Sequence, residues 1–466
     1  MDPLVIVSNR GPASAKVTPS GDVILSRGGG GLVSALSPLA QDGAIKWCFP
    51  ISSQAELDAQ SHGLFGRFMQ GLEPIEVAPD VYDAAYNDIS NKVLWYLTHG
   101  MFQTSRNPSF DSVFYLSWKK YLEYSSEIAK SVAEIAPKGA RIILQDYHMF
   151  MVAHFLAPLR PDSSLAMFLH TPFSSPSELD VLPNEIAKQI LESLSNLDHL
   201  GFHAAKWQQN YLDCVSSFGA NQAKHSWVNP LGTDAIDIVN LGNTPQVEEA
   251  ADKLGALANG RRIIARIDRM EPSKNILRGI DSIVEMYKFY PYLLATTVHF
   301  ANCYPSREAI PDYGEYAREV HEKVESANKY LRELARPLKI ELESDPIVLF
   351  SEDNFALSLA ILRSYDVLLV NPIRDGLNLV ASEGTILNEH DGVLVLSKNA
   401  GVAEIVSEII PLVNPFDIKE TALAISQSLA LNKEQRKSHN SHLKTRFLEF
   451  NPQLWLSNQI NWFNAP

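Results

Sequence analysis

The stretch LVIVSNR, residues 4–10, decides the fold class. The aliphatic residues predict a short buried strand at residues 4–8, and the polar residues Asn9 and Arg10 follow at its carboxyl end. Similar runs, each followed by an amphipathic stretch, are found at residues 141–145, 165–170 and 199–203. This alternation is typical of βα units in a parallel sheet that is buried on both faces. We therefore predict a doubly wound α/β fold.

A second series of the same kind predicts a second domain. A polar segment at residues 240–260 reads as a connector with one helix, and strands are then predicted at residues 262–267, 296–301, 346–350, 366–371 and 393–397. The predicted domains are residues 1–236 and 237–450. At the end of the chain, Leu456, Ile460 and Phe463 form a helical apolar stripe, so we expect residues 451–466 to pack back on the first domain.

Composition excludes several classes of partner. A net charge of −14 argues against nucleic acid and against an anionic membrane surface. No apolar run reaches the roughly 20 residues of a membrane span, and the N-terminus lacks a signal-peptide pattern, so we expect a cytoplasmic protein. Cys48, Cys214 and Cys303 show no metal-ligand spacing and are expected to be reduced, buried thiols. The oligomeric state is open, and a homo-oligomer is one of the states allowed.

The first candidate site combines Arg10 with four glycines at residues 28–31. An arginine at a strand end faces the crevice where open α/β sheets bind ligands, and glycines ahead of a helix allow backbone N–H groups to approach a phosphate. The alternative is a flexible hairpin tip and a surface arginine. The helical run after Gly31 favours an anion site.

The second candidate site is RMEPSKN, residues 269–275, just beyond the first strand of the second domain. Arg269 and Lys274 could neutralise one diphosphate without a metal, since each charge-assisted contact contributes roughly 1.5–3 kcal/mol. An ordinary turn with Ser273 as the N-cap fits this segment equally well.

The third candidate site is NPIRDGLNLVASE, residues 371–383, which reads as a strand end, a tight turn and the start of a helix. Backbone N–H groups at residues 378–380 can hold a phosphate at the positive end of that helix. Glu383 can accept hydrogen bonds from ribose hydroxyls, and Asp375 can accept one from a sugar hydroxyl. A capped helix with an incidental acidic residue is the alternative.

Other strand ends carry groups suited to sugars. Asp146 and His170 each end a predicted strand, and ionised Asp and neutral His are directional partners for hydroxyls. Tyr86 and Trp95 are aromatics among small polar residues, a mixture that suits a sugar face, although core packing explains Trp95 equally well. Arg307 follows a strand of the second domain, where a surface arginine is the simpler interpretation. No spacing resembles a zinc site, so we expect neither a metal nor a cofactor.

Taken in order, these motifs resemble the trehalose-6-phosphate synthase family of retaining glycosyltransferases. The resemblance runs from Val5 to Asp417 and rests on VSNR, the glycine-rich loop, YNDISNKVLW, DYH, FLHTPF, GFHAAKW, R-x-x-x-x-K, YPSR and RDGLNLVASE in one order. It implies a GT-B fold, with two Rossmann-like domains facing across a cleft that holds the active site. It also implies transfer of glucose from a nucleoside-diphosphate glucose to glucose 6-phosphate, giving trehalose 6-phosphate.

The resemblance assigns roles to individual residues. The donor would be bound by Gly30, Gly31, Arg269, Lys274, Asp375, Asn378, Leu379, Val380 and Glu383. The acceptor would be bound by Arg10, Trp47, Tyr86, Trp95, Asp146 and Arg307, with both arginines on its phosphate. His170 would contact the transferred glucose, so that Arg269, Lys274, His170 and Asp375 form the catalytic group. The family's favoured mechanism is a front-face displacement in which the leaving phosphate accepts the acceptor's proton, so no general base is assigned.

Two departures keep the substrates open. The family's usual R-L-D-Y-x-K-G is replaced by RMEPSKN at residues 269–275, and the second tryptophan common after the Trp47 position is absent. UDP-, GDP- and ADP-glucose therefore all remain candidate donors; the RGGGGLVS and SKN versions resemble an actinobacterial-type branch in which GDP-glucose is an alternative. Rival interpretations are a glucosylglycerol-phosphate synthase, a pseudo-glycosyltransferase that couples cyclitols, and a non-catalytic subunit that senses sugar phosphate. Intact donor residues speak against the last.

Overall fold

The computed structural model describes residues 3–27, 33, 36–37, 40–41, 43–307 and 310–464. The chain divides into two compact units. The first unit comprises Met1–Leu231 together with Pro452–Pro466, and the second comprises Gly232–Asn451. The sequence placed this boundary at residue 236, slightly further along the chain.

The first unit is built on a parallel sheet. Its seven described strands lie in the order β5-β4-β1-β6-β7-β8-β9, and a separate antiparallel hairpin pairs β2 with β3. All residues of β1 are buried, as the aliphatic run predicts. The strands are β1 Leu4–Ser8, β2 Ala13–Val17, β3 Val23–Arg27, β4 Ile45–Ile51, β5 Leu72–Glu76, β6 Arg141–Gln145, β7 Ser164–Leu169, β8 His199–Phe202 and β9 His225–Val228.

Helices connect these strands, and the C-terminal helix Pro452–Trp462 packs on the same unit. Its Trp455 and Trp462 rings lie 5.0 and 6.2 Å from the ring of Phe168 on β7. The other described helices are Gln54–Ser61, Leu64–Phe68, Pro79–Asp83, Trp95–His99, Ser112–Ile135, Val152–Leu159, Pro176–Leu179, Asn184–Ser195 and Ala205–Phe218, with a π-helix at Ala84–Leu94 and a 3₁₀ turn at Tyr147–Met149.

The second unit has a parallel sheet of its own. Within the described residues its strand order is β12-β11-β10-β13-β14-β15. The strands are β10 Arg262–Arg269, β11 Thr297–Tyr304, β12 Ile347–Phe350, β13 Val367–Val370, β14 Val393–Ser397 and β15 Leu412–Val413. Strands β10 and β11 continue two or three residues beyond their predicted ends, which carries polar residues further toward the edge that bears the candidate site.

The connector is more helical than the sequence suggested. Two helices, Ala235–Gly242 and Pro245–Ala258, occupy a region for which one was predicted. Thr244 has extended backbone and Pro245 is the first helical residue, so the chain ends one helix and starts another at this point. The remaining helices are Ile276–Phe289, Pro311–Ala335, Phe355–Ser364, Leu379–Leu387, Ala403–Val406, Ile418–Ala430 and Lys433–Leu448, with 3₁₀ turns at Pro272–Lys274, Pro291–Ala295 and Arg336–Leu338.

In each sheet the candidate residues lie at the carboxyl ends of the strands. In a parallel sheet all carboxyl ends lie on the same side, which is where open α/β sheets bind ligands. Arg10 and Asp146 follow β1 and β6, while Lys274 and Asp375 follow β10 and β13. No helix in the described part of the chain is both long and apolar enough to cross a bilayer.

Candidate active site

The second unit carries an ion pair at the centre of its candidate site. Lys274 Nζ lies 2.6 Å from Asp375 Oδ2, and both side chains are largely buried. Burial lowers the pKa of Lys274, but Asp375, Asp268 and Glu271 outweigh that effect, and the net shift is upward. Lys274 is therefore a fixed positive charge at any physiological pH.

Asp375 is held by the backbone and by neighbouring side chains. Its Oδ1 accepts from the Leu377 N–H at 3.3 Å, and its Oδ2 accepts from Asn378 Nδ2 at 3.2 Å. The peptide N–H of Gly401 donates to the Asp375 carbonyl at 3.0 Å. A carboxylate with these partners is suited to orienting Lys274 and a sugar hydroxyl.

A buried arginine shapes the turn that carries Lys274. Arg266 on β10 is 1% exposed, pairs with Asp268 at 2.9 Å, and donates to Asn371 Oδ1 at 2.7 Å. It also donates to the carbonyl of Lys274. Because a buried charge must keep its partners, this network ties the Lys274 turn to the ends of β10 and β13.

Arg269 and Arg307 share one carboxylate. Glu271 Oε1 lies 3.1 Å from Arg269 Nη1 and 3.7 Å from Arg307 Nη1. Burial raises the pKa of Glu271, but Arg269, Arg307 and Lys274 reverse this and hold it at about 2. Arg307 also donates to Tyr313 Oη at 2.8 Å. Arg307 thus belongs to the same cation cluster as Arg269 and Lys274.

The helix Leu379–Leu387 starts beside this cluster. Asn378 precedes it with φ +79°, a left-handed backbone conformation, and its buried Oδ1 has no partner among the described residues. Leu379 and Val380 open the first turn, where free N–H groups and the helix dipole favour an anion. Burial raises the pKa of Glu383, in the second turn, to about 7.

In the first unit, Arg10 is exposed and is held by Tyr86. Its Nη2 donates to Tyr86 Oη at 2.5 Å, and its guanidinium lies 5.2 Å from the centre of that ring. Tyr86 is stacked between Tyr82 and His148, with ring centres 5.7 and 5.9 Å away. This stack fixes the arginine at the edge of the sheet.

Tyr86 lies on the π-helix, a rare element that is frequent at functional sites. Asn91 Nδ2 donates to the Tyr86 carbonyl at 2.9 Å, and Asn91 Oδ1 accepts from Tyr147 Oη at 2.7 Å. The tyrosine of the DYH motif therefore supports the turn that presents Tyr86.

The two predicted acceptor tryptophans are core residues. Trp47 is fully buried, and its indole N–H donates to Ser8 Oγ at 2.7 Å. Ser8 in turn donates to the Arg10 carbonyl at 2.7 Å, so Trp47 supports the backbone of Arg10 through Ser8. Trp95 is 2% exposed and stacks on His99 at 4.3 Å. Direct contact of either ring with a ligand would require its neighbours to move.

His170 lies in a chain of hydrogen bonds between neutral groups. The Leu231 N–H donates to His203 Nδ1 at 3.2 Å, so His203 carries its proton on Nε2. That nitrogen lies 3.2 Å from His170 Nδ1, and His170 Nε2 lies 3.0 Å from Gln145 Oε1. Burial lowers the pKa of His170 to about 4 and holds that of His203 well below its ordinary value. Both ring nitrogens of His170 are thus occupied by protein groups.

Asp146 shapes the same strand end. It has φ +71°, and its Oδ1 accepts from the backbone N–H groups of His170 and Thr171 at 3.1 and 3.3 Å. Asp146 therefore lies next to His170, and its Oδ1 accepts hydrogen bonds from the backbone.

Several supporting residues were not predicted from the sequence. Glu271, Asp268 and Gln145 carry no motif of their own that separates them from ordinary strand-end residues. The acidic residue between Arg269 and Lys274 was the one available signal, since two cations that flank a carboxylate are expected to share it. The predicted donor glycines Gly30 and Gly31 lie outside the described residues, so the structure says nothing of them.

Comparison with known proteins decides the family. The profile of glycosyltransferase family 20 matches residues 2–465. The chain belongs to this family. A trehalose-6-phosphate synthase of Mycolicibacterium smegmatis is 28% identical over 97% of this chain and 90% of its own length. A bifunctional trehalose-6-phosphate synthase/phosphatase of Thermoproteus tenax is 29% identical over 93% of this chain. The matched region spans only 59% of that longer protein.

A solved structure gives the fold of this family member. An α,α-trehalose-phosphate synthase (UDP-forming) from Burkholderia xenovorans, in complex with glucose-6-phosphate, superposes with a TM-score of 0.82. It is 20% identical and is matched over 99% of this chain and all of its own. The fold is GT-B, as predicted, with one Rossmann-like sheet in each unit.

Proposed function

We propose that the chain is an α,α-trehalose-phosphate synthase. It would transfer glucose from a nucleoside-diphosphate glucose to glucose 6-phosphate, with retention at the anomeric carbon, and release trehalose 6-phosphate. The observation that carries this proposal is the cation cluster of the second unit. There Lys274 is fixed by Asp375, next to the helix that begins at Leu379 and near the shared carboxylate of Arg269 and Arg307.

The cluster suits a departing nucleoside diphosphate. Negative charge grows on the leaving oxygen as the glycosidic bond breaks, and fixed cations stabilise that charge without having to reorganise. Lys274 and Arg269 would supply two cations, and the N–H groups at the start of the Leu379–Leu387 helix would supply hydrogen bonds. No metal ion is needed in this scheme, and we propose that the enzyme works without one.

The proton of the acceptor hydroxyl would pass to the leaving phosphate oxygen. Asp375 is then not required as a base, which fits a carboxylate that already accepts from Lys274, Leu377 and Asn378. We propose that it orients Lys274 and one hydroxyl of the transferred glucose. Glu383 would hold the ribose hydroxyls of the donor.

The acceptor would be bound at the edge that carries Arg10. Its phosphate would pair with Arg10 and Arg307, and its hydroxyls would meet Tyr86 and Asp146. The Burkholderia xenovorans relative was solved with glucose-6-phosphate, which supports a phosphorylated hexose as the acceptor.

The decisive experiment is a substrate panel with purified protein. We expect nucleoside diphosphate to be released from UDP-, GDP- or ADP-glucose only when glucose 6-phosphate is present, and the rate to survive addition of EDTA. Glycerol 3-phosphate is the control acceptor. The product's two anomeric protons should both show the small coupling constants of α linkages by NMR.

Absence of turnover with all three donors would remove the enzymatic proposal and leave the sensing alternative. Turnover with glycerol 3-phosphate but not with glucose 6-phosphate would overturn glucose 6-phosphate as the acceptor and favour a glucosylglycerol-phosphate synthase. Loss of the rate in EDTA, restored by a divalent cation, would overturn metal independence.

A further inference from the structure

Glu271 contacts two arginines that the proposed function assigns to different substrates. Arg269 comes from the end of β10 and would hold the donor diphosphate, while Arg307 follows β11 and would hold the acceptor phosphate. Both guanidinium groups lie within 3.7 Å of the same oxygen, Glu271 Oε1. The two cations are therefore neighbours, although they are 38 positions apart in the chain.

The shared carboxylate is itself firmly held. Glu271 is 2% exposed, and Ser306 Oγ donates to its Oε1 at 3.0 Å. Two strands that are paired in parallel, β10 and β11, bring the Glu271 and Ser306 segments together; their register runs to Arg269 opposite Tyr304. Glu271 thus acts from a fixed point on the sheet edge.

The two arginines differ in how far they are fixed by other groups. Arg307 also donates to Tyr313 Oη and lies 5.4 Å from the centre of that ring. Arg269 is 48% exposed, and its ion pair is with Glu271. A long side chain that is otherwise open to solvent loses much conformational freedom when it is aimed, so an anchor at its head group matters most for Arg269.

We propose that Glu271 is a positioning residue that aims Arg269 at the donor diphosphate and Arg307 at the acceptor phosphate, so that one carboxylate sets both anion contacts. This inference rests on the proposed function. Glu271 touches neither substrate in this scheme. It keeps two like charges side by side, which would otherwise repel each other and separate before the anions bind.

A simple counter-ion role predicts the opposite result. If Glu271 only neutralised charge, its removal would make the cluster more positive and would strengthen the binding of anions. The sign of the effect therefore separates positioning from neutralisation.

The test uses the full chain and measures binding rather than turnover. Calorimetry gives the affinity for UDP, GDP or ADP, whichever the wild type binds, and separately for glucose 6-phosphate. We expect Glu271→Gln to weaken both affinities, by about 10-fold each, since small misplacements of a contact group can cost up to about 100-fold. Glu271→Asp keeps the charge and should weaken both less. Arg269→Ala should weaken chiefly the nucleotide, and Arg307→Ala chiefly the sugar phosphate.

Asp366→Asn is the matched control. Asp366 pairs with Arg436 at 2.9 Å and is largely buried, but it lies at the amino end of β13, away from the candidate site. Its loss should lower the melting temperature and leave both affinities unchanged.

Each outcome has a definite meaning. Unchanged or tighter binding of both ligands by Glu271→Gln overturns the inference, and so does a loss confined to one ligand. Should Glu271→Gln fail to fold, Glu271→Asp must still weaken both ligands in parallel. If the wild type binds no nucleoside diphosphate, the proposed function fails, which is distinguishable because the wild type is measured first.

Discussion

The candidate sites of the two units are built from different chemical groups. The second unit uses charges, in which Lys274 pairs with Asp375 and two arginines share Glu271. The first unit uses neutral and aromatic groups beside the exposed cation Arg10. His170 and His203 there are uncharged because burial lowers their pKa values.

This difference fits the proposed reaction, in which negative charge grows on the diphosphate. A diphosphate gains charge as it leaves, so fixed cations lower the barrier only on the side that holds it. A sugar hydroxyl is neutral and needs direction more than charge, which is what neutral His and amide groups supply. Substitutions in the two regions should therefore affect different kinetic constants.

The largest effect is expected for Lys274→Ala. Removing this fixed cation should lower kcat by about 100- to 1,000-fold, the range seen when one stabilising donor is lost from an active site. Steady-state rates with saturating substrates check this. Lys323→Ala is the control, since Lys323 pairs with Asp281 at 2.9 Å on a half-exposed helix surface of the same unit. A rate near that of the wild type in Lys274→Ala would show that the donor site lies elsewhere.

An intermediate effect is expected for Arg10→Ala. The loss of one charge-assisted contact should raise KM for glucose 6-phosphate by about 10- to 100-fold and leave KM for the donor unchanged. Tyr86→Phe sharpens the test, because it removes only the hydroxyl to which Arg10 donates and should produce a smaller rise. If the donor KM rises instead, the assignment of Arg10 to the acceptor is wrong.

The smallest effect concerns Glu383. Its pKa is raised to about 7 in the folded chain, while an unfolded glutamate titrates near its ordinary value of 4.5. Between these pH values the unfolded chain loses a proton that the folded chain keeps, so the wild type loses stability as pH rises. Above pH 7 the loss is complete. Glu383→Gln removes this penalty. The melting temperature of the variant minus that of the wild type should therefore be more positive at pH 8 than at pH 4.5.

Thermal melts at the two pH values measure this difference. Thr385→Ser, two residues further along the same helix, is the control for a conservative change and should show no such pH dependence. Equal differences at pH 4.5 and pH 8 would mean that Glu383 is ionised normally in the folded chain.

The strands and most helices could be predicted from the sequence, because hydrophobic periodicity is a local property. Strands β1, β6 and β14 have their predicted bounds. The strand-end cations Arg10, Arg269 and Lys274 were also predictable, since all carboxyl ends of a parallel sheet lie on one edge. The break at Thr244 and Pro245 was missed because it depends on how one short segment is capped.

The sequence by itself determined the two βα series, the family and the residue types at the strand ends. Only the tertiary structure decided which groups meet. It placed Arg307 on the carboxylate of Glu271, buried Trp47 beneath Arg10, and occupied both nitrogens of His170 with His203 and Gln145. The physical reason is that helix and strand patterns follow from neighbours in the chain, whereas ion pairs and proton positions follow from strand order and side-chain direction.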